Sequence, residues 1–466
     1  MPIICSQEEG VFPMAKPIIA QLHKHLRSRH TIFLSPELLA EINNHSRLIL
    51  SFGHKKVAAR VKPSHRPGHV YLSANLMHTL MIPFEQKAHF AIRDNHLAIG
   101  PLVGLFVARY TAHGDTLFPK NPVWINRFLL ASRDVPSYYF IFYPEDIDFY
   151  AKEINGYFLV EQKGKWSWQR HRIPFPNVVY NRIINRMLEN SSSVQMAKAL
   201  FQRHKIPYFN PDFFNKWTIY EKIHDDPRVT QYLPETVFNP KLIHIKSLLN
   251  KYPMIYLKPS SGSLGLGIAQ LYYRPEKGYF LRYRRGNQNK LYCFKHLSKA
   301  LSHFMQHKSS KTYIAQQGID LITIQRRPID FRVHTNKNAH GEWEVTAIGA
   351  KLAGKGSVTT HVRTGGEVIS PQKAIATCFP NHQTEIFQTL QRTAIILSET
   401  IDDHTAGWLG ELGFDLGVDK NGRIWMFEAN SKPGRHVFIH PELKENDRLT
   451  RKKILEYALY LAKFTS

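Results

Sequence analysis

Near the end of the chain, GFDLGVDKNGRIWMFEANSKPG (413–434) carries two carboxylates and an amide, Asp415, Glu428 and Asn430. Oxygen donors of this kind suit Mg²⁺, which takes carboxylate and amide oxygens and keeps room for waters and phosphates. The Asn421-Gly422 pair between two alternating apolar runs predicts a hairpin with a two-residue turn. Counted outward from that turn, Lys420 faces Arg423 and Asp415 falls opposite Glu428, with Asn430 following on the face that Ile424 and Met426 begin. Two carboxylates about 4 Å apart at an effective dielectric near 20 repel by roughly 4 kcal/mol, so this register asks for a cation between them. A solvated polar hairpin face, or a longer turn that offsets the acids, fits the same residues without a metal.

Other residues upstream suit phosphate. YLKPSSGSLGLGI (256–268) brings Lys258 to a strand end and follows it with Gly262, Gly265 and Gly267, a loop whose unshielded amides can cradle phosphate. It lacks the Gly-Lys-Ser/Thr ending of a Walker A loop, and an ordinary glycine hairpin has the same composition. Lys258 can act as a point charge on phosphates, and Lys216 in FNKWT is a second such lysine; a solvated surface lysine fits either position. YIAQQGIDL (313–321) is an apolar strand running into a glycine, the pattern of a hinge whose backbone can read an adenine edge. Arg332 in DFRVHTNK and Arg363 in THVRTGGEV fall near strand ends, where the guanidinium fork suits phosphate, carboxylate or a plain surface ion pair.

The elements that must position these groups occupy a long chain. At 466 residues it calls for two to four structural units, and 43% hydrophobic residues are enough to bury their cores. Residues 1–95 open with a basic, helical-looking piece, MAKPIIAQLHKHLRSRH, and continue as short β-branched runs, predicting a small β-rich domain. Residues 96–195 alternate strands (AIGPLVGLFV, SYYFIFY, NVVYNRI) with helix-like spans, predicting an α/β unit. From 196 to 466 the runs lengthen and the candidate chemistry begins. The basic run RYRRGNQNK (282–290) reads as a hairpin tip that is either simply solvated or in contact with an anionic substrate.

Net charge is 62 − 37 = +25, so the surface field favours anions such as nucleotide, nucleic acid, an acidic polymer or an anionic membrane face. Nucleic acid is disfavoured, since no helix-turn-helix, zinc or RNA-binding signature is present. Cys5, Cys293 and Cys378 show neither CxxC nor Cys/His metal spacing, which predicts a reducing, cytoplasmic setting without a disulfide framework. Glu8 and Glu9 stand where a secretory signal would be basic, and LAIGPLVGLFVA is too short to span a bilayer.

Taken in order, a basic strand, a glycine loop, a hinge-like strand, an Arg strand, an Arg-Gly-Gly turn and a terminal Asp/Glu-x-Asn hairpin resemble the ATP-grasp superfamily over roughly 200–440. The whole chain, through KPSSGSLGLGI, GELGFDLGVD and FEANSKPG, resembles its YheC/YheD endospore coat-associated branch. The resemblance implies an α/β (α+β) ATP-grasp fold, two α+β subdomains clasping ATP at 196–466, preceded by the small α/β domain and the β-rich domain. It implies Lys216 and Lys258 as nucleotide lysines, the segment from Ser261 and Gly262 through Ser263 and Gly265 to Gly267 as the phosphate cover, and Gln316, Gln317, Gly318 and Ile319 as the adenine hinge. Asp415, Glu428 and Asn430 become Mg²⁺ ligands, and Arg332 and Arg363 stabilise phosphoryl transfer. Gln316 and Gln317 stand where many such enzymes keep a ribose-binding acid, and Asp320 is the substitute. The implied activity is ATP- and Mg²⁺-dependent carboxylate–amine ligation through an acylphosphate during spore formation, on an acidic or peptide-like substrate. The alternative is a non-catalytic, ATP-binding structural or regulatory protein associated with the spore coat, with coat proteins as partners.

Overall fold

The computed structural model describes residues 17–465 apart from 43–44, 109–122, 262–265, 287, 307–311 and 361–364. Cys5, Glu8, Glu9, Gly262, Ser263, Gly265 and Arg363 therefore lie outside the described residues. The chain divides into two units, one holding the described parts of Met1–Pro211, Asn338–Glu342 and Arg451–Ser466, the other Asp212–Lys337 and Trp343–Thr450.

In the first unit, seven strands close into a barrel in the order Ile18–His25, His69–Ser73, Thr31–Leu34, Lys55–Pro63, Arg47–Phe52, His96–Gly100, Lys87–Arg93. The piece expected to be helical contains the first of them. Ile18, Leu22 and Leu26 suggest a helical stripe, yet Leu26 is 77% exposed, and it is Ala20 and Leu22, two apart, that are buried. That two-residue alternation lets Ile18–His25 pair with strands on both sides and close the barrel. A second sheet follows in the order Ile147–Asp148, Glu153–Gln162, Tyr138–Phe142, Leu102–Phe106, Val178–Asn181, Tyr208–Phe209. Tyr138–Phe142 is buried at every position, as a strand covered on both faces must be. One of those faces packs against Leu455, Tyr457 and Leu459 near the C-terminus.

The second unit has two sheets. The first runs Thr236–Phe238, Tyr313–Gln317, Met254–Pro259, Ala269–Arg274, Gly278–Arg285, Gln288–Phe294. Helices Leu242–Lys251 and Leu297–Gln306 cover one of its faces, around Leu257, Leu271 and Leu281. The second runs Glu367–Ile369, Trp343–Leu352, Arg327–Lys337, Glu411–Val418, Ile424–Asn430, and helix Gln383–Asp403 covers its apolar face through Leu390, Ala394 and Leu397. Among the described residues no helix is long and apolar enough to cross a membrane.

Candidate functional site

A cavity of about 230 Å³ in the second unit is lined from both of these sheets. Strand alternation decides which side chains reach it. On Arg327–Lys337, Ile329, Phe331 and Val333 enter the core, so Asp330 and Arg332 take the other face. Arg332 lies across from Asp415, and Asp415 across from Glu428; one rung away, Asp330 lies across from both Lys351 and Gly417. Two charged rungs thus run over the cavity face of a sheet whose other face is apolar.

The register that pairs Asp415 with Glu428 arises differently from the count made on the sequence. No two-residue turn forms at Asn421-Gly422: Val418 pairs with Ile424, one residue out of that count. Asp419 Oδ1 instead accepts from the Asn421 and Arg423 amides at 2.9 and 3.0 Å, and only Gly422 of the pair has positive φ, 80°. A bulge at Phe427 then restores the count, so Asp415 meets Glu428 after all. The bulge also corrects the expected sidedness. Ile424, Met426 and Ala429 belong to the core, whereas Phe427 and Glu428 line the cavity, so Glu428 and Asn430 do not share the face of Ile424 and Met426. Gly417 makes the bulge possible, since a Cβ there would come within 2.5 Å of the Phe427 ring.

Cations meet these acids at every turn. Asn215 caps helix Lys216–Ile223 by accepting from the Trp217 and Thr218 amides, and Lys216 is the first helical residue. A cation is unfavourable at a helix N-terminus, but here its Nζ is 3.1 Å from Glu428 Oε1. Lys351 Nζ donates to Asp415 Oδ1 at 2.8 Å and lies 3.0 Å from Asp330 Oδ1, off the line of a hydrogen bond. Burial works against the Lys351 charge, but Asp330 and Asp415 outweigh it and hold its pKa above the usual lysine value. Arg332 Nε is 3.3 Å from Asp415 Oδ1, and Thr360 Oγ1 donates to Asp330 Oδ2 at 2.5 Å.

Lys258 is the exception, because its hydrogen-bond partner is neutral. Its Nζ donates to Gln316 Oε1 at 2.5 Å and stands 5.2 Å from the Phe427 ring. Burial first, and the nearby Lys216 charge second, bring its pKa down to about 8, although Glu428, Asp415 and Asp330 pull the other way. A buried ammonium paired only with an amide is poised to meet an incoming anion.

The amide of Asn430 bears on metal binding. Its two terminal atoms lie 3.1 Å from Glu428 Oε1 and 3.1 Å from Arg332 Nη1. Without a metal, hydrogen bonding is satisfied when the nitrogen donates to Glu428 and the oxygen accepts from Arg332; a cation beside Glu428 calls for the reverse orientation. Among the described residues no cluster of three His, Cys, Asp or Glu side chains forms a metal site. Two carboxylates and one amide, with space for waters and phosphate, nevertheless fit Mg²⁺, which rarely takes an all-protein cage.

The remaining expected residues divide. Gln317 and Ile319 line the cavity. Gln316 lies behind them, donating to Thr236 Oγ1 and accepting from Lys258. Gly318 donates to the Met254 carbonyl at 3.0 Å, and a Cβ there would come within 2.4 Å of Met254 Cγ. Asp320 does not line the cavity; it is exposed and ion-paired with Lys420 at 2.7 Å. Ser261 is exposed and Gly267 has φ 74°, while Leu266 and Ile268 beside it line the cavity.

Comparison with known proteins decides the family. Residues 205–461 match the family model described as "YheC/D like ATP-grasp". The chain belongs to that ATP-grasp family. It is 38% identical over 442 residues to "Endospore coat-associated protein YheD" of Bacillus subtilis (strain 168), covering 93% of this chain and 94% of that protein. "Endospore coat-associated protein YheC" of the same organism is 24% identical over 289 residues, 60% of this chain and 77% of that one. Among solved structures, the VanG D-Ala:D-Ser ligase of Enterococcus faecalis aligns with TM-score 0.43 at 11% identity, over 78% of this chain and 99% of that one.

In this ATP-grasp chain Asp330, Lys351 and Thr360 also line the cavity, although none stands out in a sequence motif. Asp330 precedes Arg332 by two residues in DFRVHTNK and so shares its strand face. The signal for Lys351 was a lone charge inside the apolar run AIGAKLAG, which only a buried partner stabilises.

Proposed function

We propose that the chain is an ATP- and Mg²⁺-dependent carboxylate–amine ligase that activates its substrate as an acylphosphate. The observation that carries this reading is the convergence of Lys216, Lys258 and Lys351 with the opposed acids Asp415 and Glu428 on one cavity. Gln317 and Ile319 would border the adenine, with Gln316 and Gly318 bracing that strand, and Lys216 and Lys258 would hold the phosphates. Asp415, Glu428 and Asn430 would hold Mg²⁺, which when bound offsets phosphate charge. A substrate carboxylate oxygen attacks the γ-phosphorus as the bond to the ADP oxygen breaks. An amine nitrogen then attacks the acyl carbon, the acyl C–O bond breaks with release of phosphate, and the nitrogen gives up its proton. The side chains need not supply a nucleophile; Arg332 and Arg363 would offset charge on the group in transfer.

The names of the Bacillus relatives extend the proposal to an association with the endospore coat, and the reducing setting expected from the cysteine pattern extends it to the cytoplasm. The test is ADP release from ATP with panels of carboxylates and amines, with hydroxylamine added to trap the acylphosphate as a hydroxamate. Hydroxamate that depends on a particular carboxylate, and is lost in Glu428→Gln, supports the reading. ATP binding with neither ADP nor hydroxamate formed on any carboxylate would overturn it.

A further inference from the structure

The cavity face of the six-stranded sheet continues beyond the cavity. Cross-strand pairing lays two ladders over it: Tyr256, Gln270, Arg282 and Leu291 form one, and Met254, Tyr272, Phe280 and Cys293 the other. Tyr256, Gln270 and Arg282 line the cavity, while Leu291 and Cys293 stand exposed on the outermost strand. Three inter-strand gaps of about 4.8 Å make roughly 14 Å, the length of four or five extended residues at about 3.4 Å each. The strip therefore leads from an open sheet edge into the cavity over a peptide-sized distance.

Its chemistry selects one sign of charge. Residues 269–294 contain six Lys or Arg and a single acid, Glu276. Among the described residues neither Arg274 nor Arg282 forms an ion pair; Arg274 lies 5.5 Å from the Tyr272 ring centre and 5.8 Å from that of Phe280. Those two rings stack on each other at 5.1 Å and 4°. Each ring turns one face to the other, with Arg274 beside the pair, so only one face of each is left for a base to stack on; with no nucleic-acid-binding signature in the sequence, the arrangement favours a peptide over a single-stranded nucleic acid. Its guanidinium groups match carboxylates and its half-buried rings match apolar side chains.

We propose that this strip docks an extended, acidic peptide segment and feeds its carboxyl group toward the cavity. Docking itself needs no nucleotide; only the delivery of a reacting carboxyl rests on the ligase reading above.

The experiment is fluorescence anisotropy of the full chain with fluorescein-labelled hexaglutamate at low salt, without ATP, against a hexaglutamine control. Hexaglutamate should bind and hexaglutamine should not, and Arg274→Glu should weaken binding about tenfold or more as an attractive contact becomes repulsive. Arg47→Glu, on the barrel, should leave binding unchanged, and Arg274→Glu should keep any ATP-induced rise in melting temperature that the wild type shows. Equal weakening by Arg47→Glu and Arg274→Glu would mean diffuse attraction to a basic surface and overturn the proposal. So would retention of affinity in Arg274→Glu, or displacement of the peptide by oligo-dT at equal charge concentration. Loss of ADP release with peptide binding intact would defeat the ligase reading and leave the docking strip standing.

Discussion

Lys258 provides a prediction whose size follows from its surroundings. Its folded pKa is about 8, against 10.5 for an ordinary lysine, chiefly because the ammonium is buried. At 1.36 kcal/mol per unit this is about 3 kcal/mol of strain carried by the charged form. The sign follows from proton counting: between about pH 8 and 10.5 the unfolded chain holds a proton that the folded chain has lost, so stability rises with pH there. Below about pH 8 both states hold the proton and the penalty is fully present. Lys258→Met removes the titrating group, so the stability of wild type minus mutant, from urea unfolding at pH 7, 8, 9 and 10, should climb by up to about 3 kcal/mol. A polyphosphate beside Lys258 should also draw its proton back: calorimetry at pH 8.5 in buffers of different ionisation enthalpy should show uptake of roughly 0.7 proton per ATP. A flat stability difference together with no proton uptake would refute the assignment of Lys258 as a buried, neutrally partnered ammonium facing the phosphates.

Three other perturbations test the scaffold. Lys351→Met leaves Asp330 and Asp415 buried without their shared cation and should cost about 3–5 kcal/mol in urea unfolding; the accompanying Asp330→Asn change should recover part of it. Deleting Phe427 removes the bulge but leaves Glu428 directly after Met426, still opposite Asp415 on the cavity face by two-residue alternation, so calorimetry should still show Mg²⁺-dependent ATP binding while the melting temperature falls with the loss of the Phe427 ring. Gly318→Ala forces a Cβ against Met254 Cγ and carbonyl oxygen, at 2.4 and 2.7 Å, and should cost roughly 1–3 kcal/mol, read by urea unfolding.

What the sequence disclosed depended on whether the signal was local. The Asp415–Glu428 pairing could be counted from Asn421-Gly422, but only because the longer turn at Asp419 and the bulge at Phe427 shift the register by one residue each and cancel. A bulge depends on the room that Gly417 leaves on the neighbouring strand, which a linear count does not contain. The Ile18–His25 strand looked helical because its closing partners lie some fifty and seventy residues away. Lys216 and Lys258 are legible as candidates, yet their proximity to Glu428 and Gln316 is a tertiary fact. Asp330 and Lys351 are illegible for the same reason: each reads as an isolated charge until the strands are paired.

The central claim is that Lys216, Lys258, Asp415, Glu428 and Asn430 form one Mg²⁺-dependent ATP site, and thermal unfolding of wild type and Glu428→Gln, with ATP and with or without Mg²⁺, tests it most directly. A ligand that binds only the folded state at 100 times its Kd adds about 2.7 kcal/mol, a rise of roughly 5–10 °C for a unit of this size. Wild type with ATP and Mg²⁺ should show such a rise, a smaller one without Mg²⁺, and Glu428→Gln none that depends on Mg²⁺. An identical Mg²⁺-dependent rise in both proteins, or none in the wild type at millimolar ATP, would contradict it.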